Sequence, residues 1–131
     1  MKIRVMPLDK IFSQYVRLLS GGYCKRCWLL NKPNSYKGGK NLDCAHFHSR
    51  SKRSVRWDIE NTAPLCRGCH SYLDGNPLEK VEFFLGLLGQ DKFNALNERA
   101  KQTRKFSVSD LEEMAKTFKE KIKLLEGKHD Y

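Results

Sequence analysis

The chain has 131 residues, 40% hydrophobic and 31% charged. That length can bury roughly two-thirds of the unfolded surface as one domain and is too short for two independent cores. Lys and Arg number 25 against 15 Asp and Glu, a formal charge of +10, which directs attention to a polyanionic partner, while the longest apolar patch, FFLGLL at 83–88, is far too short to span a bilayer.

MKIRVMPLDKIF, at the start, contains no apolar run of signal-peptide length, so the expectation is a cytoplasmic protein with no membrane partner. From Leu8 the residues Ile11, Phe12, Tyr15, Val16 and Leu19 recur at three- and four-residue intervals. With Asp9 as N-cap and Gly21-Gly22 as stop, this predicts a first helix within 1–23.

Residues 31–41, NKPNSYKGGKN, read as a turn or loop, and NLDCAHFH has the length of a strand. A polar stretch without repeat follows from 49. Thr62–Cys66 then suits a second short strand before RGCHSYLDG turns into a helix. Asn76-Pro77 suits a helix start, LEKVEFFLGLLG and DKFNALNERAK each give a helix, and Ser109 with Glu112 has capping-box spacing. The stripe Leu111, Met114, Ala115, Phe118, Ile122 and Leu125 reads as packing surface on a last helix ending near Gly127.

Five cysteines is an odd count, and two pairs have C-x-x-C spacing: Cys24-Lys25-Arg26-Cys27 and Cys66-Arg67-Gly68-Cys69. Two intervening residues let both thiolates of a tight turn meet one tetrahedral ion, and two such turns close a four-sulfur site with no open position. Structural Zn²⁺ on Cys24, Cys27, Cys66 and Cys69 is therefore expected. Cys44 is left over, and a cysteine in a strand most often packs as a small hydrophobe. From Lys25 to Arg56 there are nine Lys or Arg and one acid, Asp43, interleaved with Tyr36, His46 and His48. Nucleic acid is the partner this pattern favours.

The order AHF…EN…CRGCH resembles the HNH motif of the ββα-metal, or His-Me finger, nucleases, in which two strands and a helix hold a histidine, an asparagine and a metal-binding residue, often braced by two zinc knuckles. A longer similarity, DCAHFHSR…VRWDIENTAPLCRGCHSYLDGNP followed by TRKFSVSDLEEMAKTFKEKIKLL, is to the NinG (Rap) family of phage recombination nucleases. The resemblance implies an α+β fold, mostly helical: a zinc-braced ββα core at 24–76 between the first helix and C-terminal helices at 77–131, all in one domain.

It also implies roles. His46 would be the general base, Asn61 would pin the long loop so that His46 points at the phosphate, and His70 would ligate Mg²⁺ or Mn²⁺. Cleavage would leave a 5′-phosphate and a 3′-hydroxyl. The family tends to have Asn where this chain has His70. Many HNH members carry a second ligand just before the base, where this chain has Ala45. Asp43, His48, or water and substrate phosphate are the available substitutes.

Plainer roles stand beside these: His46 as a hydrogen-bonded core histidine, Asn61 as a turn residue, His70 as a replacement zinc ligand, and His48 as a phosphate contact. Arg50, Lys52, Arg53 and Arg56 lie in the loop between the strands and are expected to contact DNA phosphates without reading sequence. The reading is thus a metal-dependent DNA endonuclease of phage or prophage recombination acting on branched or duplex DNA, with a homodimer suited to symmetric junctions. The rivals are a non-catalytic zinc-stabilised nucleic-acid-binding module and an adaptor working through its C-terminal helix.

Overall fold

A computed structural model describes residues 4–32 and 41–128, so the expected 31–41 turn lies, except at its ends, outside the described residues. In chain order come α1 (Pro7–Leu19), α2 (Lys25–Leu29), β1 (Asp43–His46), 3-10 turns at Arg53–Val55 and Ile59–Asn61, β2 (Thr62–Leu65), α3 (Arg67–Asp74), α4 (Pro77–Leu88), α5 (Gln90–Ala100) and α6 (Val108–Lys128). The fold is mixed α and β, mostly helical, with a small two-stranded sheet. No helix among the described residues is long and apolar enough to cross a membrane.

α1 begins earlier than its sequence suggests. Pro7 fits the first helical position because its fixed φ suits the helix and its missing N–H is not needed there. Met6 therefore occupies the cap, and Asp9, expected as N-cap, is the third helical residue; its carboxylate accepts the Met6 N–H at 2.7 Å. A similar shift occurs at α6. Ser107 and Asp110 exchange side-chain and backbone hydrogen bonds of 2.9 and 3.0 Å, one S-x-x-acid match ahead of the expected Ser109 and Glu112.

β1 and β2 pair antiparallel, Asp43 opposite Leu65, Cys44 opposite Pro64, Ala45 opposite Ala63 and His46 opposite Thr62. The first strand is half as long as its apolar pattern suggested. Beyond His46 the chain leaves β2 because the Asn61 carboxamide takes both the N–H and the carbonyl of His48. One sheet face supplies Ala45, Ala63 and Leu65 to a core shared with three of the knuckle cysteines, Leu73 of α3, Phe84 of α4 and Phe93 of α5. From the other face Cys44 joins Phe12 and Val16 of α1, Trp57 and Phe118 of α6.

The helices clamp this sheet from two sides. α6 lies along α1 through Phe118, whose ring sits 5.3 Å from Phe12 and 5.5 Å from Tyr15. On the opposite side α4 and α5 are joined by Gly89 alone, at φ +81, ψ 163, a conformation in which a Cβ is strained. That sharp turn folds α5 back so that Leu96 and Ala100 bury Val55 of the inter-strand loop. The loop carrying the expected DNA contacts is thereby fixed at its centre.

Candidate functional site

Each C-x-x-C pair starts a helix. Cys24 is the N-cap of α2 and accepts the Cys27 N–H at 3.5 Å; Cys66 is the N-cap of α3 and accepts the Cys69 N–H at 3.4 Å. The four sulfurs lie within 4.8 Å of one another. Cys27 Sγ is 3.6 Å from Cys69 Sγ and 3.9 Å from Cys66 Sγ. A tetrahedron with metal–sulfur bonds of about 2.3 Å has edges of about 3.8 Å, so the geometry fits one Zn²⁺. Among the described residues it is the one cluster of three or more metal-binding side chains so close together.

The protonation chemistry of the cluster agrees with that fit. Burial, reinforced by the neighbouring sulfurs, pushes the Cys27 thiol up to about 12, and burial also raises Cys66. Burial presses Cys69 upward too, but the Arg26 guanidinium, 3.4 Å from its sulfur, and the surrounding thiols hold it below the ordinary value. Without a cation, burial therefore favours the thiol at Cys27 and Cys66, while Arg26 favours the thiolate at Cys69. A bound Zn²⁺ stabilises all four in the thiolate form, and its binding is linked to proton release. His70, weighed above as a replacement zinc ligand, is not in this group.

On the other side of the sheet, His46 and His70 line one open cleft of about 400 Å³, together with Cys44, Arg50, Asp74 and Lys80. His46 Nε2 is 2.9 Å from the Arg56 carbonyl oxygen. A carbonyl can only accept, so Nε2 carries the hydrogen and Nδ1 keeps its lone pair. Burial holds the imidazole pKa below the ordinary 6.5, against the opposing pull of that carbonyl bond. His46 is thus a neutral imidazole at pH 7 with a defined tautomer. Cys44 beside it is inert as a nucleophile, since burial pushes its thiol up to about 12.

His70 is flanked by carboxylates at both ring nitrogens: Nδ1 is 2.9 Å from Asp43 Oδ2 and Nε2 is 3.4 Å from Asp74 Oδ2. When Nδ1 donates to Asp43, the neutral ring directs the Nε2 lone pair toward a second carboxylate. That pairing needs a proton or a cation between N and O. Arg67 also reaches Asp43, at 3.2 Å, and Lys80 reaches Asp74, at 2.9 Å. Asp74 and Lys80 were not foreseen from the sequence, although His70-x-x-x-Asp74 is the i, i+4 spacing that brings two side chains together on one helix face.

The remaining expected residues divide. Asn61 has 0% exposure and uses its whole carboxamide: Nδ2 donates to the His48 and Val55 carbonyls, each at 3.0 Å, and Oδ1 accepts the His48 N–H at 2.8 Å. It ties the two ends of the inter-strand loop, buried and with its whole carboxamide engaged by the backbone. His48 does not reach the cleft. Because β1 ends at His46, alternation fails, and His48 Nε2 sits 2.8 Å from Asn97 Oδ1 on α5.

Arg56 corrects the expectation for the basic loop. It is 3% exposed, and its guanidinium forks onto Asp9 at 2.7 and 3.1 Å and donates to the Arg4 carbonyl at 2.8 Å. Trp57 Nε1 adds a 3.0 Å bond to the same carboxylate. Burial raises the Asp9 pKa, but Arg56, the Met6 N–H and the Trp57 N–H outweigh it and hold the group below 3.8. Lys52 and Arg53 are exposed, and Arg50 lines the cleft half-buried. No protein-family model, no curated protein and no solved structure matches this chain.

Proposed function

We propose that the chain is a metal-dependent DNA endonuclease of the ββα-metal type, braced by Zn²⁺ on Cys24, Cys27, Cys66 and Cys69. The observation that carries this reading is the shared cleft. A neutral imidazole whose Nε2–H is engaged by the Arg56 carbonyl, on His46, and a nitrogen–carboxylate pair, His70 Nε2 with Asp74 Oδ2, line one opening with Arg50 and Lys80.

His46 Nδ1 accepts the proton of the attacking water, and the Arg56 carbonyl steadies the imidazolium that results. His70 and Asp74 are the groups that hold a divalent cation: their 3.4 Å separation is near the roughly 3 Å edge of an octahedral Mg²⁺ or Mn²⁺ shell. Such a cation supplies charge neutralisation at the phosphate. Asp43, a candidate ligand on sequence grounds, is better suited to orient His70 by accepting its Nδ1–H. Arg50, in the lining of the same cleft, is the phosphate contact in this reading. The similarity to NinG selects branched recombination intermediates as the first substrates to try, in a cytoplasmic phage or prophage setting, with a homodimer for symmetric junctions.

The rival reading is a zinc-stabilised nucleic-acid-binding module without catalysis. It is favoured by the Lys80 and Arg67 ammonium and guanidinium groups that already pair with the carboxylates beside His70. Zinc-loaded protein incubated with branched and linear DNA, with Mg²⁺, with Mn²⁺ and with neither, separates the two. Nicking that requires Mg²⁺ or Mn²⁺ and falls on the order of 10²-fold or more in His46→Ala, at unchanged zinc content, is expected. The acid limb of the rate should lie below pH 6.5, because burial depresses the His46 pKa. Binding without nicking in every condition would leave the rival standing.

A further inference from the structure

α2 presents an aromatic and apolar face that nothing among the described residues covers. Trp28 is 63% exposed, with Leu29 and Leu30 at 54% and 48% beside it. Tyr23 flanks the indole, ring centroids 5.7 Å apart at 57°, so the indole is braced on one side and open on another. The Trp28 backbone N–H donates to the Cys24 carbonyl at 3.0 Å, which anchors the main chain beneath the indole to the most buried of the four cysteines.

The side chains of α2 and the turn after it add cations, Lys25, Arg26 and Lys32, and the sequence holds no Asp or Glu between Lys10 and Asp43. Lys25 precedes Trp28 by three residues and so shares its side of α2. Lys32, whose N–H closes the same turn on the Cys27 carbonyl at 3.1 Å, lines an open cleft of about 860 Å³ beside the knuckle with Arg26, Arg67, Tyr72 and three of the cluster cysteines, and no Asp or Glu lines it. An apolar protein partner would be indifferent to this charge or repelled by it. An exposed indole, flanked by Tyr23 and beside a groove that carries Arg26, Lys32 and Arg67 and no carboxylate, matches the needs of an unpaired nucleic-acid strand, whose bases stack and whose phosphates need cations.

We propose that Trp28 is a stacking platform for an unpaired base, and that the zinc knuckle, away from the two-histidine cleft, forms a second DNA contact for a single-stranded segment. The inference takes from the nuclease reading only that the partner is DNA, and it makes the substrate a duplex carrying unpaired nucleotides.

The two tryptophans provide the test. Trp57 is 6% exposed and bonded to Asp9, so it is a silent reference. Titrating the zinc-loaded protein with oligothymidylate, without Mg²⁺ or Mn²⁺, should quench tryptophan emission, and Trp28→Phe should lose that quenching while keeping most of the affinity. Trp28→Ala should weaken oligothymidylate binding roughly tenfold with an unchanged salt slope, whereas Lys25→Ala should lower that slope by about 0.7, the single-strand value for one phosphate. Equal zinc content in all variants excludes damage to the knuckle. Unquenched emission on binding, or Trp28→Ala binding as tightly as the parent, overturns the proposal. So does a Trp28→Ala change seen only as loss of self-association in sedimentation. Nicking without quenching sinks this inference alone, and quenching without nicking sinks only the nuclease reading.

Discussion

The cysteine cluster and the two-histidine cleft lie on either side of one short sheet, and they are built on opposite principles. The cluster is closed as a ligand set: four sulfurs converge on one point from two helix starts, backed by apolar core on one side and by Arg26 at the Cys69 sulfur on the other. The cleft is open and crossed by charge, with Asp43 and Asp74 shared among His70, Arg67 and Lys80. A closed four-sulfur set has one stable occupant and no place for a reactant, so it suits a brace. An open set in which carboxylates exchange partners can admit a cation or phosphate at small structural expense. The difference teaches where each kind of substitution should act.

The sharpest way to break that contrast is to remove a sulfur. Cys69→Ser leaves a tetrahedral ion incompletely held, and structural Zn²⁺ is worth on the order of 10 kcal/mol or more in small peptides. The variant should be unfolded, or melt far below the parent, by circular dichroism. His46→Ala, in the cleft, should melt within a few degrees of the parent. An unchanged Cys69→Ser melt with undiminished zinc would end the brace assignment.

Next in size is Arg56→Ala. The pair with Asp9 is 3% and 10% exposed, and breaking a buried pair from one side costs about 3–5 kcal/mol because a charge is left behind. The sign of the pH effect is fixed by Asp9, whose folded pKa lies below its unfolded 3.8. Its contribution is therefore complete above pH 3.8 and disappears as pH falls through the lower folded value. The loss caused by Arg56→Ala should be large at pH 7 and shrink under acid, which urea melts at both pH values would reveal.

What the sequence disclosed follows the range over which each interaction acts. The C-x-x-C turns and the apolar stripe of α6 are local, and local spacing is written directly in the chain. The Arg56–Asp9 pair joins residues 47 positions apart, and no spacing rule foretells it, so a guanidinium read as a DNA contact proves to be core. His48 was misjudged for a related reason. Its place on the His46 face presumed a strand through residue 48, but Asn61 captures the His48 backbone and ends the strand at His46. The short helix α2 also escaped notice, since five residues starting from a cysteine cap carry little periodicity.

Asn61→Ala probes the seam between the two regions. It strands one N–H and two carbonyls in a site with 0% exposure, which costs about 3 kcal/mol after partial relaxation. Because the same bonds fix the loop that carries the Arg56 carbonyl, the His46 tautomer should be held less firmly. The expected pattern is a lower melting temperature, intact zinc, and a cleavage rate reduced more than DNA affinity. A melting curve identical to the parent's would deny Asn61 its positioning role.

The smallest effects belong to the exposed cations of the inter-strand loop, and they distinguish surface charge from core charge within four residues of sequence. Lys52 and Arg53 are exposed, whereas Arg56 is buried against a carboxylate. A phosphate contact reveals itself by counterion release, at a slope near 0.9 per contact on duplex DNA. Replacing Lys52 and Arg53 together by Ala should lower the slope of log affinity against log salt by up to about 1.8, with the melting temperature nearly unmoved. Arg56→Ala should do the reverse, lowering the melting temperature and leaving the salt slope of the folded fraction as it was. If Arg56→Ala instead flattens the salt dependence as much as the double replacement does, its guanidinium reaches phosphate after all, and the assignment of Arg56 to the core of α1 and the loop is wrong.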